Sequence, residues 1–192
     1  MGKHYGQGRV LYSVNEETAL QLDQIRDIAA AMTAAGVSFW LFGGWGLDAR
    51  IGRITRDHGD IEIWVADGDA DRTRDAIVGA GFTYAPNDYP EESYEYLREG
   101  IKSSSAFFLR NEDGSFSSRG RFSDWRFPPS SFTSPPGRLG DVAVPTMSVE
   151  GMIAMKEQYA TLRNGKPLRD KDIRDLVLLR SLLLPGPTIS PA

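Results

Sequence analysis

The stretch Trp40-Leu-Phe-Gly-Gly-Trp-Gly-Leu-Asp48, taken together with Thr55-Arg-Asp-His-Gly-Asp-Ile-Glu-Ile63, decides the fold. Val37 to Phe42 is a short aromatic and β-branched run, which predicts a buried strand, and it leads directly into Gly43-Gly44. Two glycines at a strand end expose backbone N–H groups with no side chain in the way. A helix beginning there adds its positive end, so the pair makes a cradle for phosphate. Sixteen positions after Gly44 comes Asp60-Ile-Glu62, two carboxylates at i and i+2. On a strand they share one face while Ile61 and Ile63 turn to the core. Two carboxylates near a phosphate cradle suit a Mg²⁺ ion that bridges to a nucleoside triphosphate, because hard cations take oxygen ligands. Each half alone is also the pattern of an ordinary glycine turn or a polar strand face.

Outward from that stretch, Asn15-Glu-Glu-Thr18 reads as a helix N-terminus, and Leu22, Ile25, Ala29 and Met32 follow in steps of 3, 4 and 3 on one apolar face until Gly36. A brief helix or turn is expected over Trp45 to Ile51 and a helix over Asp69 to Ala80. Phe82 to Ala85, Tyr94 to Leu97 and Ser104 to Leu109 read as strands, separated by polar turns such as Asn111-Glu-Asp-Gly114. Ser117 to Gly140, with Pro128-Pro129 and Pro135-Pro136, reads as a long surface loop, a kind of segment that often serves as a lid. Val142 to Val144 is a short strand. Ser148 is an N-cap for a helix carrying Met152, Met155 and Tyr159, and Ile173 to Leu184 is a second apolar helix. The expected class is α+β: a mixed β-sheet flanked by helices, with a C-terminal helical pair. The expected division is a core over 1–146, a helical appendage packed on it over 147–184, and a tail over 185–192.

The 192 residues are 41% apolar and 25% charged and include no cysteine, which removes disulfides and thiolate metal sites. Two histidines, His4 and His58, cannot by themselves make a zinc centre. No apolar run approaches the roughly 20 residues that cross a bilayer, and Met1 to Val14 lacks an apolar signal core, so no membrane partner and a cytoplasmic location are expected. Twenty-two basic against 26 acidic side chains leave a net charge of −4. That disfavours nucleic acid as a partner; it is compatible with a cationic small molecule, and equally with an acidic surface kept for solubility.

Gly43 through Ile63 resembles the nucleotidyltransferase fold of the DNA polymerase β superfamily, whose signature is a strand ending in Gly-Gly or Gly-Ser followed by an acidic-apolar-acidic-apolar strand. Within that superfamily the stretch is similar to the aminoglycoside 2″-nucleotidyltransferases and the related lincosamide nucleotidyltransferases. The likeness continues through Asp113-Gly114, Gly140-Asp-Val-Ala-Val144, Ser148-Val-Glu150, Lys156, Tyr159 and Arg169-Asp-Lys-Asp172 with Asp175. It implies a minimal nucleotidyltransferase fold and Mg²⁺-dependent transfer of AMP from ATP to a hydroxylated small molecule. Residue by residue, it implies that Gly43 and Gly44 hold the triphosphate, that Arg56 and His58 line the phosphate side, that Lys156 faces the cleft, and that Asp60 and Glu62 ligate Mg²⁺. Asp60, Glu62 and His58 are then the expected catalytic groups. His58 beside Asp57 and Asp60 is equally read as a tether for its loop.

One departure stands out. The family places a third acid on a later strand beside the nucleophilic hydroxyl, and the corresponding positions here fall in Ser103-Ser-Ser105. A neutral serine oxygen is a poor proton acceptor and a poor Mg²⁺ ligand. Glu95, Glu112 and Asp113 are the candidates to replace that acid, and Glu95, Ser105 and Trp125 the candidates for the substrate pocket. Tyr84, Tyr89, Tyr94, Tyr96 and Trp64 are further wall candidates, with Arg119, Arg121 and Arg126 as anion contacts, against the alternative that the aromatics are ordinary core. Two functions remain in view. One is an antibiotic-modifying type of nucleotidyltransferase. The other is a nucleotidyltransferase fold without transfer, reused as a natural-product enzyme with acid/base chemistry or as a small-molecule binding protein.

Overall fold

The structure, a computed structural model, describes residues 15–162 and 165–184; the expectations for His4, for the first fourteen residues and for the 185–192 tail lie outside them. Helix α1 (Glu16–Ala34) starts where its caps predict: the Asn15 side chain accepts from Thr18 N at 2.7 Å, and Glu16 and Glu17 sit at the positive end. It stops before Gly36, whose φ of +63° a side chain would strain. Strand β1 (Phe39–Leu41) runs into helix α2 (Gly43–Ile51), so the helix begins at the glycine pair and not at Trp45. Strand β2 (Asp60–Ala66), helix α3 (Ala70–Gly79) and strands β3 (Thr83–Ala85), β4 (Ser93–Arg98) and β5 (Ile101–Arg110) follow.

The sheet runs β1-β2-β5-β4-β3. Its central pair, β2 and β5, is parallel; the other neighbours are antiparallel. Period-two alternation then divides the side chains. Ile61, Ile63, Val65, Tyr96 and Phe107 pack with Leu22, Ile25 and Met32 in one core. Trp64 and Phe108 turn to the other face, into a second core with Phe42, Phe116, Phe127 and Phe132.

Residues 117–140 are not a loose lid. They hold β6 (Phe116–Ser118), β7 (Arg126–Phe127), β8 (Gly137–Leu139) and two 3₁₀ turns, 120–122 and 129–132, and β6 pairs with β5 to widen the sheet. The reason is burial: Trp125, Phe127 and Phe132 are 9%, 1% and 6% exposed, so the aromatics between the prolines and serines anchor the segment. β9 (Val142–Val144) pairs with β8. Next, Leu41 N donates to Pro145 O and Met147 N to Leu41 O, which fixes the entry to α4 (Val149–Glu157) against β1. Ser148 Oγ caps that helix, accepting from Gly151 N at 2.9 Å.

Two helices remain, α5 (Tyr159–Leu162) and α6 (Asp170–Leu182); α4 and α6 pack on one another and on α2. The buried side of α6 carries Asp172 and Asp175 as well as Leu176 and Leu179, while Ile173 and Val177 face out. Helix α6 is therefore turned from the purely apolar orientation its sequence suggests, because its two aspartates meet a buried lysine on α4. No helix among the described residues is long and apolar enough to cross a membrane.

Candidate active site

Three pieces of chain meet at the C-terminal end of β1. Gly43 and Gly44 open α2, the 55–60 loop leads into β2, and α4 to α6 close the far side. The cleft between them measures about 100 Å³ and is lined by Gly43, Gly44, Arg56, His58, Asp60, Glu62 and Lys156, with Tyr159, Arg169 and Lys171 on its far wall. Every residue the sequence assigned to the phosphate side and to the metal is thus in one place. The glycines have a second reason to be glycine. A Cβ on Gly43 would lie 2.0 Å from Glu62 Oε2, and one on Gly44 2.1 Å from His58 Nδ1.

His58 is held on every side. Its Nε2 donates to Asp48 Oδ2 at 2.6 Å, its Nδ1 accepts from Arg56 at 2.9 Å, and its ring packs on Trp45 with centroids 4.6 Å apart. Asp48 also accepts from Thr55 Oγ1 at 2.6 Å, and the His58 carbonyl accepts from Gln21 at 2.8 Å. A carboxylate only accepts and a guanidinium only donates, so the partners assign the neutral Nε2–H tautomer. Both ring nitrogens are committed, which is the geometry of a tether for the 55–60 loop and leaves neither free for proton transfer in this arrangement. Asp48, the buried partner that explains His58, was missed; its signal was a carboxylate five positions after Gly43, on the helix that the glycines open.

Beyond His58 the charges form a chain. Arg56 reaches Asp175 at 3.3 Å, Lys156 binds Asp175 at 2.8 Å and Asp172 at 3.4 Å, and Arg169 holds Asp172 at 2.6 and 3.0 Å. Lys156, Asp172 and Asp175 are all buried. Burial alone would raise the Asp172 carboxyl, but the Arg169 hydrogen bonds and the Lys156 charge outweigh it and hold it below the usual carboxylate range. Arg56, one of the lining residues, has its Nε buried without a partner among the described residues.

The substitutes for the missing acid fall elsewhere. Glu62 lies opposite Ser104 on β5, and Ser104 opposite Glu95 on β4, so all three share a face. Glu95, however, is paired with Lys102 at 2.8 Å and lines an outer groove without Asp60 or Glu62. Asp113 is spent in the β5–β6 turn on Ser115 N and Oγ, and Glu112 sits in the same turn, at the far end of β5 from Ser104. Ser105 faces the opposite core and hydrogen-bonds Tyr96 Oη at 3.1 Å, so it lines no substrate pocket; parity along β5 decides this. Tyr84, Tyr94 and Tyr96 share that far side. Trp64 and Trp125 do wall a cavity next to Glu62, together with Glu92, which the sequence did not single out. Arg121 serves Glu92, and Arg119 serves Asp67.

The Glu62 carboxyl is strongly perturbed. Removal of its carboxyl from water pushes its pKa up to about 7, and the Asp60 charge adds to this against the pull of Lys156, Lys171 and Arg169. A cation between the two carboxylates would relieve that deficit, and hard oxygen donors are what Mg²⁺ takes. The donor set therefore fits one such ion. No group of three or more His, Asp or Glu gathers to hold a metal among the described residues, so a cation in the cleft would meet the pair Asp60 and Glu62.

A pH test follows for the metal-free protein. Because the folded carboxyl binds its proton more tightly than the ordinary value of 4.5, stability falls as pH rises from 4.5 to about 7 and stays reduced above it. Glu62→Gln is expected to match the parent in acid and to exceed it above pH 7 by on the order of 1–3 kcal/mol, read from denaturant midpoints.

A model of the family described as aminoglycoside-2″-adenylyltransferase matches residues 24–179. The 2″-aminoglycoside nucleotidyltransferases of Klebsiella pneumoniae and Escherichia coli are each 44% identical to the chain over 43 residues, 22% of this chain and 24% of the relative, so the match spans about a quarter of their length. Among solved structures, ANT(2″)-Ia in complex with adenylyl-2″-tobramycin superposes with a TM-score of 0.68 at 21% identity, covering 85% of this chain and 90% of that one. The lincosamide adenylyltransferase LnuA, lincomycin-bound, superposes with a TM-score of 0.61 at 22% identity, covering 88% and 98%. The mixed sheet and its flanking helices are thus the nucleotidyltransferase fold, and the chain belongs to the aminoglycoside-2″-adenylyltransferase family.

Proposed function

We propose that this protein transfers AMP from MgATP to a hydroxyl of a small molecule. The observation that carries the reading is the single cleft joining Gly43, Gly44, Asp60, Glu62 and Lys156. The backbone N–H groups and positive end of α2 receive phosphate oxygens, Arg56 and Lys171 add positive charge, and Lys156 fixes α6 across the cleft. Asp60 and Glu62 hold Mg²⁺, which when bound neutralises phosphate charge. The acceptor hydroxyl oxygen bonds to the α-phosphorus as the bond to the bridging oxygen breaks, pyrophosphate leaves, and the hydroxyl proton passes to water, because Ser104 stands where the family has its third acid.

A second reading, the same fold without transfer, is favoured by that serine alone. Calorimetric titration with ATP separates the two. Wild type is expected to bind ATP only when Mg²⁺ is present, and Asp60→Asn to weaken that binding about tenfold, the loss of one charged ligand. Absence of binding at millimolar ATP sinks the transferase reading and leaves the second.

A further inference from the structure

Beside the phosphate cleft lies a second cavity of about 330 Å³, and the two share Glu62, Tyr159 and Arg169. Its walls are Phe42, Trp64, Ala106, Phe122, Trp125 and Tyr159. The rings brace one another: Phe42 stacks on Trp64 with centroids 5.0 Å apart, and Trp125 contacts Trp64, Phe122 and Tyr159 at 6.1, 6.1 and 5.7 Å. A rigid apolar box of this size suits a small ring system.

The charges around the box are already spent. Glu92 is buried and accepts from Arg121 N, Nε and Nη2 at 2.6, 2.9 and 2.8 Å, and these bonds hold its carboxyl below the usual range. Arg169 is committed to Asp172. Glu62 remains, and the proposed function gives it to a cation. No carboxylate of the lining is left for a ligand; the rings can hold one ammonium by cation–π attraction, but the remaining charges of a polycation would be taken out of water unpaired, at several kcal/mol each. Ser93 and Ser118 add two hydroxyls to the lining, and the indole Nε1 atoms of Trp64 and Trp125, side chains of the same wall, are buried without a partner among the described residues. An ammonium only donates, so it cannot satisfy an indole N–H; a hydroxyl, ether or carbonyl oxygen can. Farther out, Glu95 is paired with Lys102, and Asp88 is exposed, where a charge contributes little.

We propose that the acceptor of this chain is a neutral, hydroxylated aromatic or alicyclic molecule, and not a polycation of the aminoglycoside kind. The proposal rests on the transferase reading, since it takes this box as the acceptor side of Glu62. Its test uses the full chain with Mg²⁺ in excess and without nucleotide, so that Glu62 is committed as the proposal requires. 7-Hydroxyflavone and tobramycin are titrated at about 0.15 M salt, which screens loose surface attraction, and followed by calorimetry and tryptophan emission. 7-Hydroxyflavone is expected to bind about tenfold or more tightly than tobramycin, to quench tryptophan emission, and to lose about tenfold in Trp125→Ala. Should Trp125→Ala fail to fold, Phe122→Ala reads the same wall. Tighter binding of tobramycin, no binding of 7-hydroxyflavone, or binding indifferent to the wall variants overturns the proposal. Failure of MgATP to bind is a separate result: it removes the transferase reading while these titrations still report the ligand class of the box.

Discussion

Gly43→Ala is expected to fold and to bind MgATP and transfer AMP about 10²-fold less well, the scale on which a misplacement of about 1 Å is felt at a reacting centre. Two effects act at this position. Its φ of +63° costs a side-chain-bearing residue about 1–2 kcal/mol, which a domain of this size survives. The new Cβ also falls 2.0 Å from Glu62 Oε2 and 3.1 Å from its Cδ, so the carboxylate must swing away by about 1 Å or more to restore contact distance. The moving atoms are the free end of a side chain, so the swing costs little stability. It takes the oxygen from its place beside Asp60 all the same. Gly44→Ala is the contrast: its Cβ meets His58 Nδ1 at 2.1 Å and Cε1 at 2.6 Å, and that ring is held by Asp48, Arg56 and Trp45. There the expected loss is in folding. Melting curves and MgATP titrations on both variants separate the effects, and parental affinity in Gly43→Ala would remove the close packing of Gly43 on Glu62 from the account.

The largest stability effect is expected for Lys156→Met, about 3–5 kcal/mol, because removing one partner leaves buried charge uncompensated. Lys156 is 3% exposed, and its Nζ is shared by Asp172 and Asp175, which are 0% and 2% exposed. Without it Asp175 keeps, among the described residues, Arg56 at 3.3 Å, and α4 loses its buried tie to α6, leaving the exposed Glu157–Arg180 pair at 2.7 Å. Adding Asp175→Asn should recover part of the loss, since a buried neutral amide is cheaper than an unpaired carboxylate; a double-mutant cycle from denaturant midpoints measures the coupling. The cleft reads the same change. Lys156 pulls the Glu62 carboxyl down from its raised position, so in the Lys156→Met background the pH at which Glu62 ionises is expected to rise further. Metal-dependent nucleotide binding would then reach its plateau at higher pH, with the shift following the ionisation and not the fold.

Local patterns predicted some elements well and others poorly, for identifiable reasons. Asn15 and Ser148 announced their helices because a cap is a matter of neighbouring residues. The stretch from 117 to 140 looked like a lid because proline and serine dominate its composition, yet Trp125, Phe127 and Phe132 find partners on β2 and β5, far away in the chain. Helix α6 looked apolar along its outer residues; its orientation is settled by Lys156 on another helix. Ser105 was one position from the residue that faces Glu62, and a strand's period of two makes one position the difference between the cleft and the opposite core.

Within the site, the glycine pair and the Asp60-Ile-Glu62 alternation were legible in the chain itself, because cradle and paired carboxylates are each written within a few consecutive residues. Glycine tolerance of a left-handed backbone and strand parity act over one or two positions, so no distant contact is needed to deduce them. What only the tertiary structure decided is which charges cancel and which remain. Asp48 claims His58, Lys102 claims Glu95 and Arg121 claims Glu92, each from a separate element. The aromatic box beside Glu62 likewise draws on β2, β5, α5 and the 119–125 turn. Such pairings depend on distances of a few ångströms between side chains on different elements, and no local rule of sequence fixes which of them meet.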